Sequence, residues 1–216
     1  VTNYARILGV LERMEKIGMP LLIHGEEVDP EVDVFDREAV FIERRLQPML
    51  KNFPGLRIVL EHLSSKLAVD FVRSAAPQLG ATITPYHLCL NRTDWLGWGL
   101  RPYMYCMPVI KTEADRRALV EAATSGDACF FLGTDSAPHP RMAKEAACGC
   151  AGIFNAPTAL ESYALAFEEE GALDHLEAFA SLHGPAFYAL APNESRITLV
   201  REDQLVPRPL LQVVQN

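Results

Sequence analysis

Hydrophobic and polar positions follow two alternating patterns along the chain. Apolar residues at helical spacing over 3–17, ended by Gly18, predict a helix, and a continuous apolar run over 19–26 that turns polar at His24 predicts a buried strand. A strand with a polar end, followed by a helix, then recurs, with further predicted strands at 57–64, 81–87 and 130–132. The helices predicted between and after the strands cover 36–51, the segments capped by Ser65 and by Thr112, 156–170 and 173–182. The tail adds a strand-like apolar run at 197–200.

Strands that alternate with helices indicate a parallel sheet with helices outside it, and the apolar runs suit strands that are buried on both faces. Barrels and doubly wound nucleotide-binding folds share this pattern, but no glycine-rich phosphate loop follows any strand. We therefore predict an α/β fold, a (β/α)8 TIM-type barrel of which the chain holds roughly the second half: four strand–helix units plus C-terminal helices. We expect residues 1–216 to be the C-terminal part of one barrel domain, with the N-terminal strands absent or with two chains completing one another.

Polar residues collect at the carboxyl ends of the predicted strands, where parallel α/β sheets carry their functional sites. They are His24 and Glu26, Glu61 and His62, Tyr86 and His87, and Asp135 and His139. Two imidazoles and a carboxylate suit zinc or a similar ion, so we expect His24, His62 and Asp135 to be metal ligands. The simpler alternatives are hydrogen-bonded core histidines and an aspartate that caps a turn. Glu26 and Glu61 are candidates for orienting the imidazoles, with a solvated rim position as the alternative.

Composition narrows the possible partners and compartment. The net charge of −8 and the pI near 5.3 argue against a nucleic-acid or anionic-membrane surface, and no apolar run approaches the ~20 residues of a membrane span. Five cysteines, an odd number, fit a reducing compartment, so we expect a cytoplasmic protein with no nucleic-acid or membrane partner. The chain begins without methionine or a signal-peptide pattern, so we expect it to start partway into a longer protein or to have been trimmed.

Several motifs, in order and with consistent spacing, resemble the class II dihydroorotases of the amidohydrolase superfamily over residues ~8 to ~190. They are LERMEKIGMPLLIHGE at 11–26, LEHL at 60–63, ATITPYHL at 81–88, RPYMYCMP at 101–108, LGTDSAPH at 132–139 and CGCAGIFNAPT at 148–158. The last two are specific to this family rather than to the superfamily. The resemblance implies a metal-dependent hydrolase barrel.

The same resemblance implies a site with two divalent metal ions, zinc in our expectation. It implies that His24 and His62 bind one ion, and that Asp135 binds the other and serves as the catalytic general base and acid. The substrate-binding residues it implies are His139 and the backbone of Ala151 and Gly152, which receive a carboxylate, and the backbone of Met107, which meets a pyrimidine ring. The family's His-x-His pair, an Arg and an Asn for the carboxylate, and a carboxylated lysine that bridges the ions have no counterpart in the chain, because Lys66 and Lys144 lie at other positions.

The function that the resemblance implies is the reversible cyclisation of N-carbamoyl-L-aspartate to dihydroorotate, in a homodimeric enzyme of pyrimidine biosynthesis. Two alternatives remain open from the sequence. One is another cyclic-amide hydrolase of the hydantoinase type, and the other is a non-catalytic fragment or partner, because half of the metal ligands are missing. We expect the 216-residue chain to be inactive by itself.

Overall fold

A computed structural model describes residues 4–203 and contains one parallel sheet. Its strands lie side by side in chain order and are β1 (Leu21–His24), β2 (Ile58–Glu61), β3 (Leu79–Ile83) and β4 (Phe130–Leu132). The β1–β2 register pairs Leu21 with Ile58 and His24 with Glu61. Because all strands are parallel, their carboxyl ends share one edge of the sheet, as the sequence predicts.

Helices follow and connect the strands. The α-helices are α1 (Leu8–Ile17), α2 (Arg37–Phe41), α3 (Gln47–Asn52), α4 (Lys66–Ala75), α5 (Pro85–Cys89), α6 (Arg92–Leu96), α7 (Glu113–Thr124), α8 (Arg141–Lys144), α9 (Ala159–Glu169) and α10 (His183–Tyr188). Short 3-10 helices lie at Tyr4–Arg6, Pro102–Met104, Ala156–Thr158 and Leu173–His175, and π-helical turns at Ile42–Leu46 and Ala178–Leu182. Among residues 4–203, no helix has the length and apolar character needed to cross a membrane.

Local sequence signals set most helix ends where they were predicted. Gly18 closes α1 with φ of 70°, a left-handed conformation that glycine adopts without strain. The Ser65 hydroxyl accepts the Ala68 N–H at the start of α4, and Thr112 forms a capping box with Asp115 at the start of α7. The predicted helix at 36–51 is present as α2 and α3 joined by the π-helical turn.

Three predictions from the sequence differ from the structure. The third strand ends at Ile83, because Thr84 caps α5 and Pro85 occupies its first turn, so Tyr86 and His87 are helical. The apolar run at 197–200 forms no strand, and its residues are exposed. The first helix begins at Leu8 after a 3-10 turn, later than the predicted start at residue 3, which lies outside the described residues.

The core lies between the sheet and its helices. Leu60 of β2, Phe130 of β4 and Phe179 are almost completely buried there. Tyr163 of α9 belongs to the same core, and its hydroxyl donates to the Ile83 carbonyl oxygen at 2.6 Å. This bond attaches α9 to the carboxyl end of β3, next to the polar edge.

Replacing Tyr163 with Phe is expected to lower the free energy of unfolding by about 1–2 kcal/mol, because a buried carbonyl loses its donor while the ring is retained. Urea unfolding of the variant and the parent measures the change. Tyr103→Phe is the matched control, since Tyr103 is half exposed and donates to Glu145 at the surface. An equal effect of the two substitutions would contradict the structural role of the Tyr163 hydroxyl.

Candidate metal and proton-transfer site

The carboxyl edge of the sheet carries the three predicted ligands. His24 is the last residue of β1, His62 directly follows β2, and Asp135 lies three residues beyond β4. His62 and Asp135 have φ of 44° and 42°, which side-chain-bearing residues rarely adopt. Such strained backbone persists only where surrounding contacts hold it, and it concentrates at functional sites.

The two histidine rings meet across the β1–β2 pair. His24 Nδ1 lies 3.1 Å from His62 Nε2. Two imidazole nitrogens on one tetrahedral zinc, each at about 2.0–2.1 Å, are roughly 3.3–3.4 Å apart, so the two facing atoms fit a shared divalent ion. In residues 4–203, no three His, Cys, Asp or Glu side chains form a group placed to hold a metal, so Asp135 does not join the pair in one metal-binding cluster.

His62 is held in a neutral, nearly buried state. Its residue is 8% exposed, and burial, with a smaller effect of nearby His24, lowers the pKa of its imidazole to about 4. A neutral ring is the form that binds metals. Its backbone N–H donates to Thr82 Oγ1 at 2.7 Å, which fixes the residue from the neighbouring strand, and its Nδ1 is buried with no partner among the described residues.

Asp135 is exposed at the carboxyl edge of the sheet and accepts a hydrogen bond from a tyrosine hydroxyl. Tyr86 donates to Asp135 Oδ2 at 2.8 Å, and burial together with the Asp135 charge raises the pKa of Tyr86 well above its usual value. The phenol therefore stays a donor. Asp135 also acts electrostatically on His62 and on Glu61, so the three groups share one local field.

The two glutamates differ in what they contact. Glu26 Oε2 lies 2.9 Å from His24 Nε2, which is the orienting contact considered for a ligating histidine. Glu61 instead accepts from the Thr82 hydroxyl at 2.5 Å, and burial raises the pKa of its carboxyl. Thr82 therefore connects Glu61 to the backbone of His62.

The residues predicted to receive a carboxylate are brought together by two paired loops. His139 Nε2 donates to the Ala151 carbonyl oxygen at 2.9 Å, and Ala137 N–H donates to the Ile153 carbonyl oxygen at 3.0 Å. Gly152 fits between these loops with φ of 136°, where an added Cβ would lie 2.6 Å from the Ala137 Cβ. The loop that carries Asp135 and His139 is thereby fixed to the loop at 150–153.

The residues predicted to bind the carboxylate, His139, Ala151 and Gly152, are called the cradle below. Its two backbone N–H groups differ in whether they already have an acceptor. The Gly152 N–H already donates to the Tyr105 carbonyl oxygen at 2.9 Å. No acceptor for the Ala151 N–H is found among residues 4–203. Met107, half-buried, lies two residues after Tyr105 and so belongs to the segment that contacts Gly152. Ala151 is therefore the backbone donor that remains open to a ligand.

Sequence reasoning missed or misplaced several residues here. His87 was expected at the end of the third strand, but it lies in α5 and is 2% exposed, with Nε2 donating to the Pro108 carbonyl oxygen and Nδ1 accepting from Thr84. Tyr86 was noted only as a polar strand end, and nothing in the pattern indicated its bond to Asp135. Thr82 was also missed. It lies inside a predicted strand, and its hydroxyl group in that strand was the only sign of its contacts with Glu61 and His62.

In sequence, the chain is similar to curated dihydroorotases. It is 63% identical over 207 residues to the dihydroorotase of Synechococcus sp. (strain CC9902). The aligned residues cover 96% of this chain and 60% of that protein. It is 58% identical over 207 residues to the dihydroorotase of Nitrosomonas europaea, which covers 96% of this chain and 59% of that protein. The chain thus spans about 60% of the length of these relatives. No protein-family model matches it.

Solved structures give the same result for the fold. Dihydroorotase from Saccharomyces cerevisiae in complex with 5-fluoroorotic acid matches with a TM-score of 0.81 at 34% identity, over 88% of this chain and 55% of that chain. Dihydroorotase from Campylobacter jejuni matches with a TM-score of 0.79 at 35% identity, over 89% and 55%. An L-hydantoinase (dihydropyrimidinase) from Arthrobacter aurescens has a TM-score of 0.72 at 18% identity, over 86% and 47%, and shows the fold alone. The predicted α/β TIM-type fold is confirmed, with about half of each matched barrel covered.

Replacing Gly152 with Ala is expected to lower the melting temperature and to separate the two loops, because the new methyl group meets Ala137 and His139 at a left-handed φ. Gly171→Ala is the matched control, since Gly171 has φ of 66° but nothing within 4 Å of the point that an added Cβ would occupy. Thermal unfolding of both variants measures the loss of stability. We expect the free energy of unfolding to fall by about 1–3 kcal/mol more for Gly152→Ala than for Gly171→Ala. Equal melting temperatures would show that the loops do not need this close approach.

Proposed function

We propose that this chain, a homologue of the dihydroorotases of the amidohydrolase superfamily over nearly its whole length, forms part of a dihydroorotase. The reaction is the reversible ring closure of N-carbamoyl-L-aspartate to dihydroorotate. The observation that carries the proposal is the 58–63% identity to curated dihydroorotases over almost the entire chain. Since the chain spans about 60% of their length, we assign the activity to an enzyme of the relatives' full length that contains it.

Asp135 is proposed to carry the proton. In the ring-opening direction it accepts a proton from the attacking water and passes it to the departing amide nitrogen, and in ring closure it takes the proton from the carbamoyl nitrogen. Support comes from its position at the open strand edge and from the bond between Oδ2 and Tyr86, which leaves Oδ1 for proton exchange. Its φ of 42°, which side-chain-bearing residues rarely adopt, is a further sign of a functional position.

The substrate carboxylate is proposed to bind at the Ala151 N–H beside His139. The Gly152 N–H is committed to Tyr105, so it shapes the cradle without contacting the carboxylate directly. With Nε2 donating to Ala151, His139 can donate to a carboxylate only through Nδ1, as the imidazolium. The Met107 backbone is proposed to meet the pyrimidine ring from the adjacent segment.

Divalent ions, zinc in the proposal, fit the donors of this chain only in part. His24 Nδ1 and His62 Nε2 would hold one ion, and Asp135 would hold a second together with residues outside residues 4–203, including the carboxylated lysine that the resemblance implies. When bound, such ions polarise the amide carbonyl and lower the pKa of water. Glu26 would keep His24 oriented through its 2.9 Å contact.

Two narrower parts of the proposal rest on the resemblance. The full-length enzyme is proposed to be a cytoplasmic homodimer that uses only the small substrate as partner. The 216-residue chain, with four strands described, is proposed to be inactive by itself, since an eight-stranded barrel needs four more.

A hydantoinase-like activity is the second candidate, since the sequence leaves it open and an L-hydantoinase shares the fold. Hydantoins lack the ring carboxylate of dihydroorotate, so such an enzyme would not need the cradle of Ala151 and His139. Turnover of dihydroorotate and of a 5-substituted hydantoin, measured side by side on the full-length enzyme, separates the two. Turnover of the hydantoin alone would overturn the proposed function.

Asp135→Asn in the full-length enzyme is expected to lower kcat for dihydroorotate by about 10³-fold or more, because the amide cannot accept the proton, while most of the metal stays bound. Steady-state kinetics and metal analysis measure the two effects. Asp70→Asn is the matched control, since Asp70 is exposed and, within residues 4–203, forms an ion pair with Lys66 alone. Near-parental turnover by Asp135→Asn would remove this residue from the mechanism.

A further inference from the structure

Lys144, in the short helix α8, is a buried cation outside the residues assigned so far. It is 4% exposed, and its Nζ donates to three backbone carbonyl oxygens: Tyr105 at 3.0 Å, Cys150 at 2.7 Å and Gly152 at 2.8 Å. An ammonium has three N–H donors, whereas a neutral amine has two, so three acceptors match the charged form. Burial lowers the pKa of Lys144, whereas three hydrogen bonds to carbonyl oxygens favour the charged form.

This ammonium has no counter-ion in the described part of the chain. Its neighbour Glu145 points to the surface, where it pairs with Arg141 and accepts from Tyr103. No carboxylate of residues 4–203 forms an ion pair with Lys144. Carbonyl dipoles and the Tyr105 ring, whose centroid lies 5.9 Å from Nζ, stabilise the charge, and an anion bound nearby would reduce the cost of burial further.

The contacts with the Cys150 and Gly152 carbonyls place this charge next to the loop that carries Ala151 and Gly152. Cys150 C=O and Ala151 N–H belong to one planar trans peptide, so their bonds point in opposite directions. Lys144 binds the carbonyl side of that peptide, and the Ala151 N–H therefore faces away from the lysine. The bond also polarises the peptide and strengthens the N–H as a donor.

The same lysine fixes the two walls of the cradle to each other. Tyr105 accepts both from Lys144 and from the Gly152 N–H, while Gly152 C=O accepts from Lys144. The segment that leads to Met107 and the loop at 150–153 are thus joined at one nitrogen atom. Removing that atom leaves the Cys150 and Gly152 carbonyls without this donor, while the Tyr105 carbonyl keeps the Gly152 N–H.

We propose that Lys144 is a positioning residue that aims the Ala151 N–H at the substrate carboxylate and supplies its uncompensated positive charge, so that the enzyme prefers ring substrates with a carboxylate over uncharged ones. The proposal rests on the proposed function, since it assumes that the cradle receives a carboxylate. Lys144 itself touches neither the substrate nor the reacting atoms.

The test compares Lys144→Met with the parent in the full-length metal-loaded enzyme. We expect the KM for dihydroorotate to rise tenfold or more and the Kd for 5-fluoroorotate to rise by a similar factor, while kcat falls less than threefold and the metal content stays unchanged. Binding of 5-fluorouracil, which lacks the carboxylate, should change less than twofold. A purely structural role would instead lower kcat, metal content and the binding of both probes together.

Three further variants keep the test decisive. Lys66→Met is the matched control, because the exposed Lys66 ammonium pairs with Asp70 and with no other carboxylate of residues 4–203, and it should leave every value unchanged. If Lys144→Met does not fold, Lys144→Arg, which keeps the charge, is compared with Lys144→Gln, which keeps only polar donors. Arg within threefold of the parent and Gln tenfold weaker for 5-fluoroorotate would support the proposal.

The failures of the two proposals differ. A folded Lys144→Met variant with parental KM and parental Kd for 5-fluoroorotate, or equal affinities of the Arg and Gln variants, overturns the role of Lys144 while dihydroorotate turnover persists. Absence of dihydroorotate turnover and of 5-fluoroorotate binding in the parent enzyme overturns the proposed function and, with it, the role of Lys144.

Discussion

The in-register parallel pairing of β1 and β2 is the constraint on which the site depends. His24 pairs with Glu61, and His62 is the residue that follows Glu61 in the chain. The His62 ring therefore lies one strand away from the His24 ring and contacts it. A shift of one residue would turn the side chains to the opposite face of the sheet and separate the two imidazoles. Buried residues such as Ile58 and Leu60 make that shift costly, so the hydrophobic core sets the geometry of the polar edge.

Backbone strain at this edge is balanced by neighbouring strands. His62 holds its φ of 44° while its N–H is bound by Thr82, which also donates to Glu61. Asp135, with φ of 42°, is bound by Tyr86 from the preceding α5. In both cases a hydroxyl from the β3 region supports a residue of an adjacent strand end. The segment from 82 to 86 is therefore a support for both candidate ligands, and its contribution depends on the turn that Thr84 and Pro85 make.

The sequence predicted the strands, their order of appearance and most helix ends, because apolar runs, Gly18 and the capping residues Ser65 and Thr112 act over a few residues. The end of β3 was predicted wrongly although its signal was present: a capping threonine followed by proline is typical of a helix start. The contacts of Tyr86 with Asp135 and of Lys144 with three carbonyls join residues 6 to 49 positions apart. No local pattern encodes such contacts, so they became visible only in the folded chain.

In the proposed function, proton transfer and binding of the substrate carboxylate fall to one segment of the chain, whereas metal binding does not. The proposed proton carrier and the proposed carboxylate cradle are joined within one chain segment, since the loop with Asp135 and His139 is fixed to the loop at 150–153. The metal donors, in contrast, are incomplete among residues 4–203, where only the two histidine nitrogens face each other. In the proposed function, the substrate carboxylate would therefore bind to the same segment that carries the proposed proton carrier, and Lys144 joins the loop at 150–153 to Tyr105 within that segment. The distance between Asp135 and a bound ring would then depend on contacts within this segment, whatever residues complete the metal site.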